Sequence, residues 1–176
     1  MAKKENNAVP LLIGAGLLLF AFSSKASQND PGNSIITFSP GVGTDPTWIQ
    51  PLNFPINQNN LFGVVGKSGK PHNGIDIMAP AGSVIVAPAG GTVKKVYNTP
   101  EAGNQLIILH TNGQSTGYAH LQDVLVKEGD ALTQGQQVAH SGNTGTETTG
   151  PHLHFVLTDT SFTPINPIPA IYSLPA

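Results

Sequence analysis

The chain has 176 residues, room for one domain with a real core plus appendages. Glycine (20) and proline (15) are abundant and charged residues make up only 10%, which suits a turn-rich β protein and argues against a helical bundle. The net charge is -2, every basic residue is lysine and cysteine is absent; this argues against a nucleic-acid partner and excludes a disulfide scaffold, a thiolate metal site and a cysteine nucleophile. Any metal must therefore sit on histidine, aspartate or glutamate, and the chain has six histidines.

Residues 8–22, AVPLLIGAGLLLFAF, carry no charge and are flanked by Lys3, Lys4 and Lys25. A membrane span needs roughly 20 apolar residues with ~17 near the lower limit, and Ser23 and Ser24 bring the run there. A cleaved secretory signal fits as well, with Ser24-Lys25-Ala26 as the site before Ser27. A buried core helix fits poorly at a terminus that leads into a loose linker. The expectation is an N-terminal apolar helix in residues 1–22 that partners a membrane, as an anchor or as a signal. Lys3 and Lys4 favour the cytoplasmic side, so the rest of the chain faces outward. Residues 23–60, rich in Ser, Asn, Gly, Pro and Gln, sustain neither a helical nor a strand period and read as an extended linker.

From Leu61 onward, short apolar runs alternate with turn signals about ten residues apart. Strands are predicted at 83–87, 92–97, 105–110, 115–120, 136–139 and 153–158. Between them stand Ala81-Gly82, Gly90-Gly91, Asn112-Gly113, Glu128-Gly129-Asp130 and Gly142-Asn143. The fold class is mainly β, an antiparallel domain over residues 61–168. The Pro-rich end from Thr163 reads as an extended strap, with residues 169–176 as a tail. No repeat of fixed period suggests a solenoid.

Five positions in this domain form a constellation: His72 and Asp76 in HNGID, His120 ending GYAH, and His152 and His154 in PHLHF. In a strand, residues i and i+2 share a face, so His152 and His154 project together. Gly74 allows the backbone to bend between His72 and Asp76. A hydrolytic zinc site takes three N/O ligands and keeps a fourth position for water, so two histidines and one carboxylate suffice, with a further polar residue to move protons. His110 reads as a strand-end residue and His140 as a turn residue, while Asp123 and Asp130 read as turn and capping carboxylates.

With their surroundings, these residues resemble the lysostaphin-type (LytM-like) zinc metallopeptidases that cut bacterial peptidoglycan. HNGIDIMAPAGSVIVAPAGGTV, GNQLIILHTNGQSTGYAHL and VKEGDALTQGQQVAHSGNTGTETTGPHLHF stand in the family's order, followed by INPI. The resemblance implies an antiparallel β-sheet domain with an open groove, built on a duplicated hybrid motif. It implies one zinc ion held by His72, Asp76 and His154, with His152 as general base and His120 polarising the water or holding the developing oxyanion. Tyr118 and the 143–150 loop would border the groove, strand packing being the other reading of Tyr118. The implied function is a zinc-dependent endopeptidase acting on peptidoglycan, tethered to a membrane and facing outward, in a bacterial envelope or a phage virion. Two departures bear on the shape of the groove. Phe62-Gly63 is followed by Val64 and Val65 where family members often carry an arginine, and Val156 follows PHLHF where many carry an acidic residue.

Two other functions compete. A non-catalytic wall-binding or regulatory module of the same fold would lack ligands, and all five positions are present. A biotinyl or lipoyl carrier is suggested by VKEGDALTQGQQVA, but Lys94 and Lys95 lie within a predicted strand and not on a hairpin tip.

Overall fold

A computed structural model describes residues 48–66 and 69–171. The apolar segment at 8–22, and with it the expected N-terminal helix, lies outside the described residues. Among the described residues no helix is long and apolar enough to cross a membrane.

Two-residue periodicity in the apolar runs builds the fold. In β5 (Ser115–Leu121) and β9 (Leu153–Thr158) alternate residues turn inward, and Leu153, Phe155 and Leu157 are fully buried beside Thr116 and Tyr118. The two strands pair antiparallel with Tyr118 opposite Phe155, and these rings meet edge to face at 5.4 Å. Gly117 and Val156 pair on the opposite face, which stays half-buried. This register is firmly specified, because a slip of one residue would turn the whole apolar set outward.

The remaining strands are β1 (Ile75–Ile77), β2 (Val84–Val86), β3 (Gly91–Thr99), β4 (Gly103–His110), β6 (Asp123–Val124), β7 (Ala131–Leu132), β8 (Gln137–His140) and β10 (Pro164–Ile165). The larger sheet has the order β1-β9-β5-β4-β3-β7, with β10 also on β9, and a small sheet has the order β2-β8-β6. All pairings are antiparallel. The expected mainly β antiparallel class is therefore observed, and each of the six predicted strands has a counterpart. The four unpredicted ones are two or three residues long, too short to show alternation.

The packed body begins earlier than the expected boundary at residue 61. Trp48 (2% exposed), Leu52 and Ile56 belong to the core, and Ile56 bridges to Ile77 of β1. Spaced four apart among Pro and Asn residues, they pack as single anchors of an irregular segment. At the other end the short helix α1 (Ile168–Ile171) buries Ile171, so the first residues assigned to the tail also pack.

Candidate metal centre

β1 and β9 bring the two halves of the constellation together. Asp76 at the middle of β1 pairs directly with His154 of β9. His72 lies just before β1 in a segment tied to the preceding loop, its N–H donating to Val64 O (2.9 Å) and its carbonyl accepting from Gly63 N (2.8 Å). Gly74 matters for closeness, and bending is not its role. A Cβ there would sit 2.4 Å from Phe155 O and 3.1 Å from Cε1 of His154, and its φ lies outside the left-handed region. Only glycine lets the His72–Asp76 segment lie directly on β9.

Three side-chain atoms converge. His72 Nε2 is 3.0 Å from His154 Nδ1 and 3.3 Å from Asp76 Oδ1, and His154 Nδ1 is 2.9 Å from the same carboxylate oxygen. Tetrahedral ligands at about 2.0–2.1 Å from zinc are separated by about 3.3 Å, so this triangle is close to the size the ion needs. The outer contacts fit as well. His154 Nε2 lies 3.1 Å from Asn73 Oδ1, an acceptor that places the ring proton outside and the Nδ1 lone pair inside. Asn60 Nδ2 donates to Asp76 Oδ2, holding the second carboxylate oxygen. His72 Nδ1 is buried without a hydrogen bond of good geometry, although the Leu61 and Asn60 carbonyls act on the ring. Three donor atoms this close must share a proton or a cation, and His72, Asp76 and His154 can hold a metal ion.

The other two imidazoles stand beside this triangle. His152 Nε2 is 3.7 Å from Asp76 Oδ1, and the His120 and His152 rings are 4.8 Å apart. Both turn Nδ1 away, onto main-chain carbonyls of one loop. His152 Nδ1 donates to Gly150 O (2.8 Å) and His120 Nδ1 to Thr144 O (2.9 Å). Each ring therefore keeps its proton on Nδ1 and offers the Nε2 lone pair.

Simple alternation would not deliver His120 to this place. Thr116 and Tyr118 point into the core, and His120 is the next residue in that series. Two irregularities intervene: the β4–β5 register slips between Asn104 and Leu106, and His120 takes a φ of 60°. Such a bulge re-aims a side chain, and histidine is among the residues that visit the left-handed region most readily. Tyr118 itself is a core residue whose hydroxyl bonds Thr116 Oγ1 at 2.9 Å, so strand packing is the reading that holds and it does not border the site.

Charge is distributed unevenly over the cluster. Burial alone would raise the Asp76 pKa, but hydrogen bonds from His154 and His72 and the nearby imidazoles hold it far below the usual carboxylate range. For His72 burial pulls the pKa down, and Asp76 more than reverses it, leaving it raised. For His120 burial dominates and the pKa is lowered, which favours the neutral ring. Two histidines stay outside. His110 is buried at the far end of β4, donating and accepting between Gly90 O (3.2 Å) and Thr116 Oγ1 (2.8 Å). His140 pairs with Asp123 at 2.7 Å on the small sheet. Asn60, Asn73 and Thr148 support the site but carried no signal in the sequence, because isolated Asn and Thr residues abound in this chain's loops. Of the two departures, Val65 is 61% exposed and Val156 leans over Gly117, so neither touches the three ligand atoms.

Residues 70–167 match the family described as Peptidase family M23. The chain is 44% identical over 93 residues to the peptidoglycan DD-endopeptidase ShyA of Vibrio cholerae, a stretch that makes up 53% of this chain and 21% of that protein. It thus spans about a fifth of that relative's length. A zinc-containing peptidase from Vibrio cholerae superposes with a TM-score of 0.63 at 33% identity, covering 73% of this chain and 41% of the other. The catalytic domain of lysostaphin from Staphylococcus simulans gives 0.54 at 28% identity, covering 75% and 90%. A match over more than half of the chain, the shared antiparallel fold and a donor triangle sized for zinc lead to one conclusion: the chain belongs to peptidase family M23, whose metal is zinc.

Proposed function

We propose that this domain is a zinc endopeptidase that hydrolyses peptide bonds of bacterial peptidoglycan, with His72, Asp76 and His154 holding the ion. The observation that carries this reading is the pairing of a metal-sized triangle with two imidazoles anchored through Nδ1 beside it. The printed activity of the relative from Vibrio cholerae, a peptidoglycan DD-endopeptidase, supports the substrate class. Zinc supplies Lewis acidity, lowering the pKa of water from 15.7 to about 7. The protein then has to position and move protons. His152 Nε2 accepts the proton of the attacking water and returns it to the leaving amine. His120 was expected to polarise the water or to hold the oxyanion. Its neutral ring, with the proton on Nδ1, offers an acceptor at Nε2 and favours the first of these.

Such a substrate lies outside the cytoplasm, so the domain acts there. The apolar run at 8–22 with its flanking lysines supports a membrane tether or an export signal, in a bacterial envelope or a phage virion. The test incubates the full chain with purified peptidoglycan, with and without a chelator, and identifies new amino termini by mass spectrometry. Chelator-sensitive new termini are expected and name the bond. A zinc-loaded chain that creates none on several wall types refutes the enzymatic reading in favour of a wall-binding module.

A further inference from the structure

The reaction proposed above needs His152 to present one particular ring nitrogen, without its proton, to the metal-holding triangle. A ring flip about Cβ–Cγ would put Cε1 where Nε2 stands, and the other tautomer would put the proton on Nε2; the Gly150 carbonyl alone is a slender guard against either. The loop supplies a second one. The Thr148 hydroxyl oxygen lies 3.5 Å from His152 Nδ1, 2.9 Å from Gly150 O and 2.6 Å from Asn143 Oδ1, and it receives the Gly150 N–H at 3.3 Å. A hydroxyl has one proton to give. Spent on Asn143 Oδ1, the shortest of these contacts, it leaves the oxygen's lone pairs facing Gly150 N–H and the His152 ring. His152 Nδ1 then meets only acceptors, Gly150 O and Thr148 Oγ1, and must itself carry the proton.

The loop can hold this arrangement because its own backbone is pinned. Thr146 N donates to Pro100 O (3.0 Å), Glu147 N to Glu101 O (2.9 Å), and His152 N to Gly142 O (3.1 Å). Gly145, at a φ of +88°, lies so close to Glu101 O that a Cβ would fall 2.3 Å from it.

We infer that Thr148, seconded by Asn143, is a positioning residue for His152: its hydroxyl fixes the tautomer and rotation of the ring so that Nε2 faces the triangle. Among the described residues the Thr148 hydroxyl bonds Asn143, Gly150 and His152 and not the three ligands, so its effect should reach the proton-moving step and leave metal binding intact. The inference rests on the proposed function, in which His152 is the base.

The test uses the full chain loaded with zinc, labelled with 15N at histidine, and long-range proton–nitrogen correlation of the ring signals, with His152 assigned through His152→Gln. Wild type and Thr148→Ser are expected to carry the His152 proton on Nδ1, and Thr148→Val to populate the Nε2-protonated form. In peptidoglycan hydrolysis Thr148→Val should lose about 10-fold to 100-fold in kcat with KM within about twofold, and Thr148→Ser should recover most of it. Zinc stoichiometry should stay at the wild-type value in all three. A Thr148→Val chain with the wild-type tautomer overturns the inference, as does one that loses zinc, or one that loses only thermal stability. A chain that shows the tautomer change but cleaves no peptidoglycan, even as wild type, supports the positioning role and refutes the enzymatic reading.

Discussion

Replacing Gly74 by alanine tests the geometry of the centre through a residue that is not a ligand. The added methyl carbon would lie 2.4 Å from Phe155 O, 3.0 Å from its carbonyl carbon and 3.1 Å from His154 Cε1. Ordinary contact begins at 3.4 Å, so the His72–Asp76 segment and β9 must part by about 1 Å. The obstacle is main chain in a paired strand, which cannot swing aside as a flexible side chain would. The two elements that would separate are the ones that share the triangle: His72 and Asp76 on one side, His154 on the other. Opening the two sides that cross between these elements, 2.9 and 3.0 Å, by about 1 Å carries them well past the separation of about 3.3 Å that the ion needs between ligands. The fold should lose about 1–3 kcal/mol by overpacking. Hydrolysis should fall about 100-fold, the usual consequence of a misplacement near 1 Å. Zinc affinity is read by competition with a chromogenic chelator and stability by thermal melting. Gly66→Ala serves as the control, because a Cβ there meets nothing within 4 Å. Wild-type zinc affinity in Gly74→Ala would refute the close-approach argument.

Three further outcomes are expected. His154→Ala should lose both zinc and hydrolysis, whereas His152→Ala should keep zinc and lose hydrolysis; turnover retained by purified His152→Ala would remove His152 from the base role. His110 is buried and its pKa is lowered by desolvation, so below its unfolded value near 6.5 the unfolded chain binds a proton that the folded chain refuses. Stability should therefore fall as pH drops from 7 to 5, by at most about 1.4 kcal/mol per pH unit from this group, and urea titrations of His110→Gln should show a shallower slope. Equal slopes would mean that the ring protonates in place. Trp48→Ala should cost about 3–5 kcal/mol, since the indole is buried and meets the His110 ring edge-on at 4.7 Å; a loss below 1 kcal/mol would return residues 48–60 to the linker.

The sequence was most informative where one signal repeated. Alternation over six or more residues marks β9 and β5, and the pair His152/His154 is legible because strand geometry puts i and i+2 on one face. It was least informative where a contact is single. Trp48 anchors the core from an irregular segment, and an Asn/Pro-rich context disguises it. The left-handed φ of His120 leaves no composition signal, so the residue was recognisable as part of a motif while the bulge that delivers it was not. Gly74 reads in the sequence as a point of backbone freedom, whereas its reason is the absence of a Cβ against a carbonyl 81 residues further along the chain. Asn60 and Thr148 act through one atom each, and long-range placement of one polar atom has no local pattern.

The loop between Gly142 and His152 divides its labour between main chain and side chains. The acceptors for both anchored imidazoles are backbone carbonyls, and the ties to Pro100 and Glu101 are backbone N–H groups. No amino-acid exchange deletes a carbonyl. The side chains of Thr146, Glu147 and Thr149 are exposed and stand outside this scaffold. Mutational drift at those three sites therefore leaves the anchoring of the imidazoles untouched while it changes the exposed face of the loop. Variation in the exposed face of this loop and constancy in the anchoring of both imidazoles can then coexist within the nine residues between Gly142 and His152.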